Sequence, residues 1–296
     1  MVKKFEGGEQ IRACTESDLD KEFEPVERKD TGKCSPEKAR EILGENFYGK
    51  EEIKVAFGFE AQGSSDLAIP YSEQDLEKAK QLGEMLVLRV SADARGNPIT
   101  MQRMNEIMAS RMTAKEGKLL SSQTTQGSAA LASDCWYKNE AFFASASLKT
   151  EWKLVSKEFV PNSKGKNYVG QTKVLRDYLR SAGALTPVKE AECSDKILSE
   201  IAELMKTDWK EAAKRLVELG VNKNHRRHPA EILYDWILRF KNRQERGILE
   251  GNYDWSSALS FRGGVVHVGA AGSSGIGVDG WRPASHAADM GVVSAR

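Results

Sequence analysis

Apolar residues recur at helical spacing over most of this chain. Ser35, followed by Pro36, and Ser72 are typical helix-start residues, and the first helix is expected to end near Gly44. Residues 85–90 form a short apolar run that predicts a strand. The beginning of the chain therefore predicts two capped helices and one strand.

The middle of the chain predicts further helices. Thr100 should cap a helix with methionines along one face, and we expect this face to fill the core rather than to bind a ligand. Helices should also start at Ser194 and at Asp208, the second ending at Gly220 as its C′ residue. Pro229 should open a last helix as its first residue.

Polar and apolar stretches also predict how the chain is divided. Residues 121–134 are small and polar, which predicts a loop. Residues 1–34 show no periodic apolar face. Three divisions are expected: a loosely ordered arm over residues 1–34, a helical N-terminal segment over 35–80, and one domain over 81–296 with a helical insertion at about 167–225.

Composition and charge exclude several classes of protein. The net charge is +1, so no strong field draws the chain to nucleic acid. No apolar run is long enough to span a bilayer, and no apolar segment follows the N-terminal lysines, so neither a membrane span nor a signal peptide is expected. This predicts a cytoplasmic or virion-associated protein. The cysteines at positions 14, 34, 135 and 193 lie far apart, which indicates reduced thiols rather than a zinc site.

Two short motifs have the letters of a functional site without its context. Residues 275–280 match G-x-G-x-x-G, but the chain ends too soon for the helix that a dinucleotide site requires. His225 and His228 flank two arginines, with no clustered carboxylate or thiol. We interpret residues 225–228 as a solvated basic turn rather than a metal or phosphate site. No catalytic residue, metal ion or cofactor is expected.

The end of the chain has a different character. From residue 257 onwards there is no Lys, Glu or Gln, and Gly, Ala, Ser and Val dominate. Short strands are predicted at 265–268 and 276–281. Trp255 and Trp281 are expected to be buried and to hold the backbone, whereas the small residues between them pack and cap nothing. This pattern indicates a fixed scaffold with interchangeable slots.

Four short patterns carry a family resemblance. They are Trp255-Ser256-Ser257, Val266-x-Val268-Gly269, Gly277-Val278-x-x-Trp281-x-Pro283 and Asp289-x-Gly291-x-x-Ser294-x-Arg296. Together they resemble the C-terminal variable region, here about 255–296, of proteins diversified by diversity-generating retroelements, above all those of archaeal viruses and small-genome archaea and bacteria. The resemblance implies that AAY codons at the slots become NNY codons, which cannot encode Lys, Glu, Gln, Met or Trp. The lack of Lys, Glu and Gln in the tail agrees with this, and its Met and Trp residues, Met290 and Trp281, lie in or beside the scaffold.

The resemblance also implies a fold. Residues 227–231, Arg-His-Pro-Ala-Glu, followed by Tyr234, Asp235 and Trp236, resemble the R-x-P-T-E-x-E-W helix start of the C-type lectin fold in its formylglycine-generating-enzyme-like subtype. His228, Ala230 and Asp235 depart from that pattern. The expected fold class is α+β, a C-type-lectin-like fold with short C-terminal antiparallel strands and a helical insertion.

The function implied is that of a ligand-binding display protein, with protein targets expected and the oligomeric state open. The alternative is a lectin-fold structural or assembly protein of a virus or cell with a fixed partner. An enzyme of the formylglycine-generating type needs late cysteines, and none follows Cys193. Too few carboxylates are present for a calcium-dependent sugar site. The predicted binding residues are Ala258, Ser260, Phe261, Arg262, His267, Ala270, Ala271, Ser273, Ser274, Asp279, Arg282, Ser285 and His286.

Overall fold

The computed structural model describes residues 33–61, 67–121 and 135–296. Almost all of the predicted arm at 1–34 and of the predicted loop at 121–134 lies outside these residues. The helices are α1 Pro36–Leu43, α2 Lys50–Phe57, α3 Glu73–Gln81, α4 Met101–Ala109, α5 Ala141–Ala144, α6 Tyr168–Ser181, α7 Pro187–Glu192, α8 Asp195–Thr207, α9 Trp209–Glu218, α10 Gly220–His225 and α11 Pro229–Arg243. The strands are β1 Phe47–Tyr48, β2 Glu84–Arg89, β3 Glu151–Ser156, β4 Tyr253–Leu259, β5 Val265–Gly272, β6 Gly275–Trp281 and β7 Met290–Gly291.

Local capping interactions set the helix starts. The hydroxyls of Ser35, Ser72 and Thr100 each accept a hydrogen bond from the backbone N–H three residues on, at 3.1–3.2 Å. These three predicted starts are confirmed. Asp208 caps α9 as predicted, and α9 ends at Glu218 with Leu219 as its C-cap, so Gly220 stands at the predicted C′ position. The chain turns at Leu219, which has φ −54° and ψ 132°, and Gly220 begins α10.

The described residues form two small sheets and an α+β architecture. In the first, the order is β1-β2-β3, with β1 parallel and β3 antiparallel to β2. In the second, the order is β6-β5-β4-β7, with β4, β5 and β6 antiparallel and β7 parallel to β4. Because β1 comes from the expected N-terminal segment and pairs with β2, the first sheet joins residues on both sides of position 80.

Helix α11 lies between the two sheets. The hydroxyl of Tyr234 donates to the carbonyl of Leu88 at 3.1 Å, and its ring stacks on Phe57 at 4.8 Å. Val266 and Val268 of β5 belong to the same buried cluster. Residues 232–238 of this helix are all buried, because the helix has a covered surface on both sides.

Helices α6 to α10 occupy the stretch where the insertion is expected, and they cover the opposite face of the second sheet. Trp255 is fully buried there, with the ring of Tyr168 edge-on at 5.3 Å. Ala213 and Leu216 of α9 and Met290 of β7 lie in the same cluster. The second sheet is therefore covered on both faces over much of its area.

The C-terminal residues tie these parts together. The carbonyl of Ser294 accepts from the N–H of Ser156 at 2.9 Å, and the N–H of Ala295 donates to His225 O at 2.9 Å. Arg296 forms a salt bridge with the fully buried Glu84 at 2.7 Å. Over residues 33–61, 67–121 and 135–296, no helix has the length and apolar character needed to cross a membrane.

Candidate ligand-binding surface

Strand register fixes where each predicted slot lies. Leu259 pairs with Val265, and Val265 pairs with Trp281, so the β4–β5 loop and Arg282 are at one end of the second sheet. The β5–β6 turn with Ser273 and Ser274 is at the other end. The thirteen predicted residues therefore divide between the two ends of the sheet and its interior.

The exposed slots lie in the loops and turns. Phe261 has 74% of its surface exposed, the largest fraction among the described large apolar residues. Ala270 and Ser285 are half-buried. The fully exposed members of the predicted set are Phe261, Arg262, Ser273, Ser274, Arg282 and His286.

Five of the predicted binding residues are buried, namely Ala258, Ser260, His267, Ala271 and Asp279, and the expectation that they are exposed is wrong. Ala258 and Ala271 point into the cluster shared with α11. Ser260 is 8% exposed where its backbone closes the β4–β5 turn with Gly263 and Gly264, at 2.8 Å each. The physical reason is that a strand with both sheet faces covered has no solvent side.

His267 is the most deeply buried of these slots. It is 1% exposed, and three rings surround its imidazole: Tyr253 at 5.0 Å, Trp281 at 5.1 Å and Trp255 at 5.8 Å. Its cross-strand partner is Asp279. Burial lowers the pKa of His267 from 6.5 to about 4, and this effect outweighs the opposing attraction of Asp279. The imidazole is therefore neutral near pH 7. Trp281, expected to be buried, is half-buried at the margin of this cluster.

A buried carboxylate from outside the tail holds the exposed β4–β5 loop. Both carboxylate oxygens of Glu140 accept from the N–H of Phe261, at 2.9 and 3.2 Å. Burial raises the pKa of Glu140, although the bond from Phe261 and the charge of Arg262 oppose this shift. The contact fixes the backbone at the most exposed aromatic slot while leaving its ring in solvent.

Residues 225–228 are not the solvated basic turn that the sequence predicts. His225, Arg226 and Arg227 are each less than 7% exposed. Arg227 lies between two carboxylates, with Nη2 2.8 Å from Asp254 Oδ2 and Nη1 3.2 Å from Asp235 Oδ2. The prediction is wrong because β4 and α11 bring these carboxylates to the turn, where they replace water as the partners of Arg227.

This ion network connects the two sheets. Arg89 at the end of β2 contacts the same Asp235, Nη2 to Oδ2, at 2.8 Å. Asp254 accepts from the N–H of Val293 at 3.0 Å through its other oxygen. Glu231 accepts from the N–H of His228 at 2.7 Å and also pairs with Arg89. The charged residues of the stretch 227–235 thus join β2, α11, β4 and the C-terminal segment.

Arg226 points the other way, towards helices α6 and α10. Its Nε donates to Asn222 at 2.7 Å and its Nη1 to Gln171 at 3.2 Å, and its guanidinium lies 3.9 Å from the ring centroid of Tyr168. It forms no salt bridge with any described residue, and burial lowers its pKa. Sequence reasoning missed this buried cation because its polar partners come from separate helices.

The structural context also bears on the motifs considered for cofactors. Residues 275–280 lie along β6, an edge strand of an antiparallel pair, and not at a strand-to-helix turn. Cys34, Cys135 and Cys193 are buried free thiols. Among the described residues, no group of three or more His, Cys, Asp and Glu side chains could hold a metal ion.

Comparisons with protein-family models, with curated proteins and with solved structures found no match to this chain.

Proposed function

We propose that this chain is a ligand-binding display protein with a C-type-lectin-like fold, whose C-terminal surface is diversified by a retroelement to recognise varied protein targets. The observation that carries the proposal is the contrast within the tail. Trp255, Val266, Val268 and Val278 of the resembling patterns are buried, whereas the slots in the loops beside them are exposed. Side chains at such exposed positions change with little cost to the fold.

The chemistry of the exposed slots supports a protein target. Phe261 and Arg262 stand next to each other, with the guanidinium 5.3 Å from the ring centroid. Aromatic and Arg side chains supply most of the binding energy in protein interfaces. No enzymatic activity is part of this proposal. The alternative, an assembly protein with a fixed partner, differs in one respect: its contact surface would be constant among sister copies.

The experiment is to sequence this gene and its flanking DNA from many sister genomes or virus particles. We expect substitutions at the codons for Phe261, Arg262, Ser273, Ser274, Arg282 and His286, with Trp255 and Val266 unchanged. We also expect a nearby near-copy of the tail-coding DNA with adenines at those slots. An invariant tail without a template copy would contradict the proposal and favour the assembly protein.

A further inference from the structure

The helical insertion reaches the end of the second sheet where the exposed slots Phe261, Arg262 and Arg282 lie. The guanidinium of Arg282 is 5.1 Å from the ring centroid of Trp209, the first residue of α9. A Cβ placed on Gly263, in the β4–β5 loop, would lie 3.1 Å from Lys210 Cγ. The insertion therefore contacts the tail on both sides of this surface.

The charges at this end of the molecule are mainly positive. Lys210, Arg262 and Arg282 are exposed, and none of them forms a salt bridge with a described residue. Two carboxylates lie near them: Asp208 is exposed and accepts the N–H of Glu211, and Glu211 pairs with Arg215. Glu140 lies buried beneath Phe261. Elsewhere many arginines have carboxylate partners, namely Arg89, Arg103, Arg176, Arg180, Arg227, Arg239 and Arg296.

We propose that the binding surface is composite and that its partner is an acidic protein segment. Trp209 and Lys210 form a constant half, because α9 lies outside the variable region, and Phe261, Arg262 and Arg282 form the variable half. This inference rests on the proposed function and names its partner class. It assigns to the insertion a role that the resemblance of the tail does not imply.

The geometry explains why carboxylates fit. Guanidinium groups held against aromatic rings keep their in-plane N–H groups free, and these match the two oxygens of a carboxylate. Trp209 is half-buried, so it loses little conformational freedom when a partner covers it. A constant Trp and Lys would give every variant a basal affinity for acidic segments, and the slots would set the selectivity.

The test uses the full chain and a displayed library of random peptides as the probe. We expect enriched peptides to contain clusters of Asp and Glu and to bind more weakly as salt is raised. Lys210→Glu and Trp209→Ala should each weaken their binding about tenfold or more. Lys196→Glu is the matched control, because Lys196 is exposed on α8 and forms no salt bridge with a described residue. It should leave binding unchanged.

Each outcome separates this inference from the proposed function. Enriched peptides that depend on Phe261 and Arg262 but lack acidic residues, or that bind Lys210→Glu as well as the parent, would overturn the composite surface and leave the display function standing. A library that yields no peptide dependent on Phe261 or Arg262 would count against both. Since Lys210 is exposed, its variant keeps the test valid even if Trp209→Ala unfolds.

Discussion

His267 and His286 belong to the same predicted set of slots but lie in opposite environments. His286 is exposed in the segment between β6 and β7, whereas His267 is enclosed by three aromatic rings. The same contrast separates the other exposed slots from Ala258, Ala271 and Asp279. A protein that changes its exposed slots alters what it binds, but a change at a buried slot first alters its stability.

The difference teaches that a small-residue tail contains two kinds of position. Under the proposed function, the partner would limit the exposed slots, whereas the packing of β5 between α11 and helices α6 to α9 limits the buried ones. Ala271 has 3% of its surface exposed, so a large side chain there would have to displace the core. We expect diversity to be broad at the loops and narrow along β5.

The largest difference in stability between the two positions should appear when each histidine is replaced by aspartate. His267→Asp would bury an acid among aromatic rings opposite Asp279, and we expect it to lower the free energy of unfolding by about 3 kcal/mol or more. His286→Asp is the matched control and should change it by less than about 0.5 kcal/mol. Urea unfolding followed by circular dichroism measures both. Equal changes in the free energy of unfolding at the two positions would contradict the contrast between a buried His267 and an exposed His286.

The comparison also shows what the sequence could and could not predict. The helix starts at Ser35, Ser72 and Thr100 were predictable because a cap involves only the next three residues. The burial of Arg227 was not, because its carboxylate partners lie 8 and 27 residues further on. Only the packing of α11 against β4 brings them together.

His267 had a signal that could have been used. It stands within Val265-Val266-His267-Val268, a run that is almost entirely apolar, and such runs are typical of strands covered on both faces. The prediction that His267 belongs to an exposed binding surface assumed that the sheet has one open face. That assumption failed because the helices that cover the second face, α6 to α10, lie about forty to one hundred residues before His267 in the chain.

A fall in pH should have an intermediate effect on the free energy of unfolding. Burial keeps His267 neutral in the folded protein, whereas the unfolded chain takes up a proton below the ordinary pKa of 6.5. The contribution of His267 to stability is therefore present above pH 6.5 and is lost as pH falls from there towards 4. In the His267→Phe variant this pH-dependent loss of stability, about 2 kcal/mol, should be absent. The loss due to other buried histidines, such as His225, should remain.

The measurement is the free energy of unfolding of both proteins at several pH values between 7 and 4.5, the range over which His267 titrates in the unfolded chain. We expect the difference between His267→Phe and the parent to grow in favour of the variant as pH falls. Parallel curves would mean that His267 has the same pKa in the folded protein as in the unfolded chain, and the distinction between buried and exposed slots would then not extend to this position.

The smallest effect concerns Ala270, where the backbone rather than burial sets the limit. Ala270 is half-buried, but its φ of 49° lies in the left-handed region that residues with a Cβ rarely adopt. Ala270→Gly should raise the free energy of unfolding by about 0.5–1 kcal/mol, because relief of strain exceeds the added freedom of the unfolded chain.

Ala271→Gly is the neighbouring control. It removes a buried methyl group where φ is not positive, so it should lower stability by about 1 kcal/mol. Thermal unfolding of the two variants gives shifts of opposite sign if the backbone at position 270 is strained, and shifts of the same sign if it is not. Asn tolerates this left-handed conformation better than Ala, so under the proposed function an unmutated AAY codon would place a well-suited residue at position 270.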